Sequence, residues 1–437
     1  MCYKIKQIAA LCITLMFVDR AEGYYVEILP QISVGEEYSD NINRSPDHEE
    51  HDYSTKVSPQ IKLNITGETA GANLSYVPTF VYYKRDTGRD TVRQNAQFRG
   101  WNNLGKNTKL ELNNSFLLTD DPGEEEVVFF DQADPLGEPD TTIRQTRETY
   151  YTNTTNFNFS HQFGEADSFR AGYRHRIRQD DDPDDNDYRS MSPFIGLTYW
   201  FNNKIGMETD ATYTRGEFSG TDDPSDDFDK WAGSMKFIKR FTKHFEGFIN
   251  YDHTVLNYHG EDEDYVVYDP SAGINYTIAD DTHLSLGVGY FIRDKENSDN
   301  DSGISIDGRL GKTWEFRRGL FDITGSMGYN EANFGSESLG FEKYYQVKGK
   351  AEYSLTKRLT GNVHYSFRRD KYLDTDSNRT DRKSKLGAGL AYEPARWISL
   401  NLNYSYNTVD STVRSREYDE NRADFMISVF PVTPWRL

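Results

Sequence analysis

Cysteine is almost missing from this 437-residue chain, and the two present, Cys2 and Cys12, both sit at its very start. If that start is removed, no thiol remains, which excludes disulfides and cysteine-based metal sites. Long hydrophobic runs are missing too. Nothing beyond the N-terminus approaches the roughly 20 apolar residues of a membrane-crossing helix. Positive charge is scarce, with 50 Lys and Arg against 70 Asp and Glu and a net charge of −20. A nucleic-acid surface needs a basic stripe, and the sequence has none. Hydrophobic residues make up 36% of the chain and mean hydropathy is −0.80, low for a globular core.

What is present argues against disorder. Aromatics reach 14%, with 30 Tyr and 26 Phe, whereas disordered chains are polar and poor in aromatics. A transmembrane β-barrel accounts for both facts. One face of each strand meets lipid, the other meets water, and aromatics gather at the two membrane interfaces.

The N-terminus reads as a secretory signal. Lys4 and Lys6 precede an apolar run over residues 8–18, and Ala21-Glu22-Gly23 offers a small-x-small cleavage site. Residues 1–23 are therefore expected to be a signal peptide and 24–437 a single outer-membrane barrel. Leu11 stands before Cys12 where lipidation wants a small residue, so the segment does not read as a lipoprotein signal.

Nine short turns recur about every 36–40 residues, with one longer gap. They run from Gly67-Glu68-Thr69-Ala70-Gly71 and Gly105-Lys106-Asn107-Thr108 through Asn202-Asn203-Lys204 to Glu393-Pro394-Ala395-Arg396. Between consecutive turns lie a strand, a longer acidic loop and a second strand. Alternation is plain in Ile398, Leu400, Leu402, Tyr404 and Tyr406, separated by Ser399, Asn401, Asn403, Ser405 and Asn407. Phe321, Ile323, Gly325, Met327 and Tyr329 form a similar apolar face. Side chains switch face with period two, so each strand presents one side to lipid and one to water.

The pattern predicts an all-β, antiparallel, up-and-down transmembrane β-barrel of about 20 strands, or 18 or 16 if weak segments such as 265–278 are irregular. An opening strand is expected near 28–40 and a closing one near 420–430. An even count puts both termini with the short turns, on the periplasmic side. The long acidic loops then face outward, where divalent cations bridge them to anionic lipopolysaccharide. Strands of about 12 residues are long for a soluble sandwich, and no propeller-blade motif is visible.

The strand after Gly164 places Arg170, Arg174, Arg176 and Arg178 on its polar face. Other strands add Lys348, Lys350 and Arg368, with inner acids such as Asp210, Asp252 and Asp307. Two readings stay open: a mutually neutralising, solvated lumen wall, or an arginine ladder that attracts an anionic solute through bidentate contacts. The longest loop, about residues 120–145, carries Val127, Val128, Phe129 and Phe130 and is expected to fold inward as a constriction. The Asp-rich loops lack the spaced Gly and terminal Glu of an EF-hand, the nine histidines show no metal-ligand spacing, and no residue is marked as a nucleophile. No enzyme activity and no cofactor are expected.

Two ends of the chain resemble one family. Leu29-Pro30-Gln31-Ile32 leading to Glu37-Tyr38-Ser39-Asp40-Asn41-Ile42, and Glu420-Asn421-Arg422-Ala423 before Phe425-Met426-Ile427-Ser428-Val429, resemble the first and last strands of outer-membrane β-barrel porins found in exopolysaccharide and exosortase gene clusters. The resemblance implies a passive conduit that exports an extracellular polysaccharide, working with periplasmic export components. The alternatives are a general or solute-specific uptake porin, and a closed barrel with a structural or surface-interaction role. One feature departs from many such barrels, which end on an aromatic residue. Here Pro431-Val432-Thr433-Pro434-Trp435-Arg436-Leu437 follows Phe430, so either this tail lies in the periplasm or the assembly signal is read from Phe430.

Overall fold

A computed structural model describes residues 23–124, 147–181, 187–219, 227–260, 262–279, 282–331, 340–373 and 379–436. The signal segment, apart from Gly23, and the Val127–Phe130 segment lie outside these residues. The first ten strands are β1 (Tyr25–Ser39), β2 (Asp52–Thr66), β3 (Ala70–Tyr83), β4 (Thr91–Asn103), β5 (Thr108–Thr119), β6 (Tyr150–Gln162), β7 (Ser168–Asp180), β8 (Asp187–Asn202), β9 (Ile205–Ser219) and β10 (Phe228–Arg240). The next ten are β11 (Phe245–Tyr258), β12 (Tyr265–Ala279), β13 (Thr282–Lys295), β14 (Asp301–Phe316), β15 (Gly319–Glu331), β16 (Phe341–Ser354), β17 (Leu359–Tyr372), β18 (Thr380–Ala395), β19 (Ile398–Ser411) and β20 (Tyr418–Val429). Each pairs antiparallel with the next, and β20 pairs with β1 to close the ring. The barrel has the expected 20 strands. The weak segment after residue 265 forms a strand, β12, with a register shift between Thr277 and Ala279.

All nine short turns fall at one end and the longer connections at the other. Local chemistry explains several turns. Asn202 Oδ1 accepts hydrogen bonds from the amides of Lys204 (2.9 Å) and Ile205 (3.0 Å), an Asx turn that satisfies donors the ladder does not reach. Thr242 and Thr356 do the same for the amides of His244 and Arg358. Gly105 adopts φ +132°, a conformation that L side chains rarely adopt.

The alternation sorts as expected over most of the wall. Ile32, Val34, Met235, Phe237, Ile249, Leu286, Val288, Leu386 and Leu390 are exposed on the outer face, while their neighbours in sequence face the bore. Inside lipid only helices and closed barrels satisfy their backbone groups, and the pairing of β20 with β1 closes the ladder here. Val288 lies mid-strand in β13. Val288→Arg is expected to destabilise the barrel by about 2–4 kcal/mol, the cost of a cation near the bilayer midplane. Urea unfolding in phospholipid vesicles measures it.

The wall departs from regularity in two places. At the seam, β20 meets β1 only from Ile32↔Val429 to Ser39↔Arg422. The tail then returns to the same edge as a two-residue strand, β21 (Trp435–Arg436), pairing with Ile28 and Glu27. The residues after Phe430 thus extend the seam. The second departure lies between β14 and β15. Their ladder stops at Gly308↔Met327, although β14 runs on to Asp301 and β15 to Glu331. From there β15 parts from β14, and the β15–β16 hairpin, still paired to β17 through β16, leans into the bore.

Candidate functional site in the barrel bore

Inner-face residues change character along the strands. Near the short turns they are open to solvent: Lys348 and Lys350 of β16 are exposed, as is much of Arg170. Towards the long-loop end of the same strands, Arg174, Arg176, Arg178, Glu342, Arg368 and Asp370 are all buried. The inner face is open to solvent at one end and buried at the other.

The ladder residues share the inner face of β7, and each is engaged. Arg170 pairs with Asp210 at 2.5 Å. Arg174 donates to Asn156 Oδ1 at 2.9 Å. Arg176 lies over the Tyr188 ring. Arg178 pairs with Asp180 at 3.3 Å and covers Tyr150. Arg368 pairs with Glu342 (2.7 Å) and Asp370 (2.5 Å), and Lys350 lies 3.7 Å from Glu352. Replacing all four β7 arginines by Gln leaves Asp210 and Asp180 without these partners. The permeability ratio, read from reversal potentials under a salt gradient, is therefore expected to shift towards cations.

A charge clasp lies at the long-loop end of the seam. Arg422 binds Asp121 with both terminal nitrogens (2.7 and 2.9 Å) and Glu420 through Nε (3.0 Å). Arg44, from the β1–β2 connection, reaches Glu420 at 3.1 Å and the Pro122 carbonyl at 2.7 Å. Arg93 binds Asp120 (2.6 Å) and Asp121 (3.2 Å). The Tyr83 hydroxyl donates to Asp120 (2.7 Å) and accepts from Arg147 (2.7 Å). Burial alone would raise the Asp121 carboxyl, but Arg422, Arg93 and Arg147 override it and hold Asp121 well below the usual carboxylate range. Burial pushes its neighbour Glu124 up.

The two motifs read at the chain ends meet here. Asn421 donates from its amide and its side chain to Asp40, both at 2.7 Å, and Asn41 donates to the Asp419 carbonyl. Arg422 is not among the inner cations of the sequence pattern. Its only signal was the Glu420-Asn421-Arg422 motif itself.

On the opposite wall the displaced β15–β16 hairpin packs onto the inner face of β10–β13. Phe228, Leu256, Tyr265, Val267, Phe291 and Phe341 form a buried apolar cluster, with Tyr329 against it. The Phe341 ring lies 5.4 Å from Phe291 and 5.1 Å from Tyr329. The Tyr329 hydroxyl donates to Asp269 at 2.7 Å. Tyr329 continues the apolar face of β15 that the sequence pattern assigns to lipid, and the structure corrects this: once the hairpin leaves the wall, that face turns onto its neighbours. Among the described residues the bore is narrowed by this hairpin and by the clasped connections.

Below the hairpin is a cavity of about 400 Å³, lined by Lys236, Asp252, Asp269, Asp307, Tyr344 and several Ser and Gly residues. A second cavity, of about 710 Å³, lies among the β1–β2, β3–β4 and β5–β6 connections. No group of three or more His, Cys, Asp or Glu residues able to hold a metal occurs among the described residues.

The family model described as "Putative beta-barrel porin 2" matches residues 237–429. No curated protein matches the sequence. Among solved structures, the chain is similar to the ferric-catecholate import receptor Fiu from E. coli K12, with a TM-score of 0.51, 12% identity and coverage of 94% of this chain and 82% of that one. It is also similar to the ferric enterobactin receptor PfeA from Pseudomonas aeruginosa, with a TM-score of 0.50, 9% identity and coverage of 93% and 81%. A BenF-like porin from Pseudomonas fluorescens Pf-5 aligns over 92% of this chain and 99% of its own at 10% identity, with a TM-score of 0.40. At these identities the likeness concerns the fold alone. The chain is a closed antiparallel β-barrel whose C-terminal part matches the porin family model.

Proposed function

We propose that this barrel is a passive channel, the outer-membrane exit duct for a secreted polysaccharide, with its short turns and termini in the periplasm. The observation that carries this reading is the pairing of charge along the bore. Arg170 with Asp210, Arg99 with Glu111, Lys350 with Glu352 and Arg368 with Glu342 and Asp370 cancel locally. Such a wall imposes little net field and offers amides and hydroxyls for weak, many-point contact with a neutral polymer, as conduction requires. Synthesis or an inner-membrane motor supplies the energy, periplasmic export components deliver the chain, and the acidic loops meet lipopolysaccharide through divalent cations.

Two measurements test the reading. Purified protein in planar bilayers should conduct, and a sealed barrel with a purely structural role would not. A deletion strain should lose surface polysaccharide, and unchanged polysaccharide would overturn export. One observation favours a second reading, a solute-specific uptake porin: the inward hairpin covers a small cavity, which suits small solutes. Slowed growth of the deletion strain on a limiting solute, with polysaccharide intact, would favour uptake.

A further inference from the structure

We infer that the cavity beneath the β15–β16 hairpin is a binding site for a neutral, polyhydroxylated ligand, a sugar unit. This rests on the reading that solutes enter the bore. The volume of about 400 Å³ falls within the range of roughly 300–1,000 Å³ typical of small-molecule sites.

The lining chemistry selects the ligand. Asp307 is exposed to the bore and accepts no hydrogen bond from the described residues. Lys236 lies across the cavity, its ammonium 4.3 Å from the Phe248 ring centre and in no ion pair among the described residues. Tyr344 lines the same space, and its hydroxyl has no hydrogen-bond partner among them. These groups are respectively acceptor-only, donor-only and both. A ligand whose hydroxyls each donate and accept satisfies all three. Three carboxylates, Asp252, Asp269 and Asp307, against the one ammonium of Lys236 disfavour an anion, and the carboxylates do not converge as metal ligands.

The wall is built to stay open. Asp269 is held by Ser305 (2.6 Å) and Tyr329 (2.7 Å). A Cβ at Gly289 would lie 2.6 Å from Ser305 Oγ and 2.8 Å from Asp269 Oδ1, so the bare glycine leaves room for that bond. At Gly287 a Cβ would meet nothing closer than 3.6 Å. A larger side chain there projects into the cavity without displacing its wall.

Saturation-transfer NMR on the purified full chain in detergent micelles reads binding whether or not the channel conducts. The probes are cellohexaose, maltohexaose and mannohexaose, with oligogalacturonate, chitosan hexamer and the zwitterion glycine as comparators. At least one neutral hexaose is expected to bind. Asp307→Asn should weaken it about tenfold, the loss of one hydrogen bond to a charged group, and Gly287→Val should abolish it. Absence of binding by every neutral sugar, equal binding by both variants, or preference for a charged comparator would overturn the site. Salt conductance of the same preparation tests the channel reading separately, so a conducting barrel that ignores sugars sinks this inference alone.

Discussion

Arg422→Met is expected to destabilise the folded barrel by about 3 kcal/mol, because it removes the shared partner of two buried carboxylates and leaves Asp121 to Arg93 and Glu420 to Arg44. Arg422 holds three oxygens at once: both of Asp121 and one of Glu420. Lysine cannot reproduce that fork, so Arg422→Lys should recover only part of the loss. The damage falls on the seam, where β20 has its short ladder with β1. Urea unfolding followed by tryptophan fluorescence, with gel mobility of unheated samples, measures both variants. The clasp should resist mild acid. A depressed carboxyl contributes stability that is present above its unfolded value, near 3.8, and lost only as pH falls through its lower folded value. Glu124 runs the other way: its raised folded value means that acidification towards pH 4.5 removes a costly buried charge. Conductance should therefore not rise as the pH falls from 7 to about 4, and a rise would show that another group governs the mouth.

The wall was legible because two solvents write on every residue of it. Lipid outside and water inside force the alternation seen in Ile398–Asn407, and turn chemistry at Asn202, Gly105 and Thr356 marks where each strand reverses. That is why the strand number and the short-turn end came from the sequence. The mouth was not legible in the same way. Arg44, Arg93, Asp121 and Arg422 come from four separate stretches, and no local pattern joins them until the ring closes. The hairpin was hidden for the opposite reason. Tyr329 keeps the period of Phe321, Ile323, Gly325 and Met327, and period two reports a face without saying what it meets. Only the end of the ladder at Gly308↔Met327 shows that the partner of that face is Phe291 and no longer lipid.

Phe341→Ala is expected to raise single-channel conductance while leaving global unfolding nearly unchanged. Its ring is fully buried between Phe291 and Tyr329, and truncating a buried Phe typically forfeits about 3–5 kcal/mol of packing. That loss falls on a hairpin which has already given up its ladder to β14 above Met327. Its remaining ties to the opposite wall are the aromatic cluster and the Tyr329–Asp269 hydrogen bond. Their free energy seats the β15 edge of the hairpin over the bore, whereas its β16 edge keeps a continuous ladder to β17 that holds the ring together. Tyr329→Phe removes the hydrogen bond and keeps the ring, so it should open the channel less, by the share of one bond to a carboxylate, about 1.5–3 kcal/mol. The order Phe341→Ala above Tyr329→Phe above the parent protein, read as open-channel current or open probability, would identify the hairpin as the part that narrows the mouth. A Phe341→Ala barrel that unfolds much more readily at unchanged conductance would instead make the hairpin part of the wall's own stability, and the narrowing would have to come from the clasped connections across the bore.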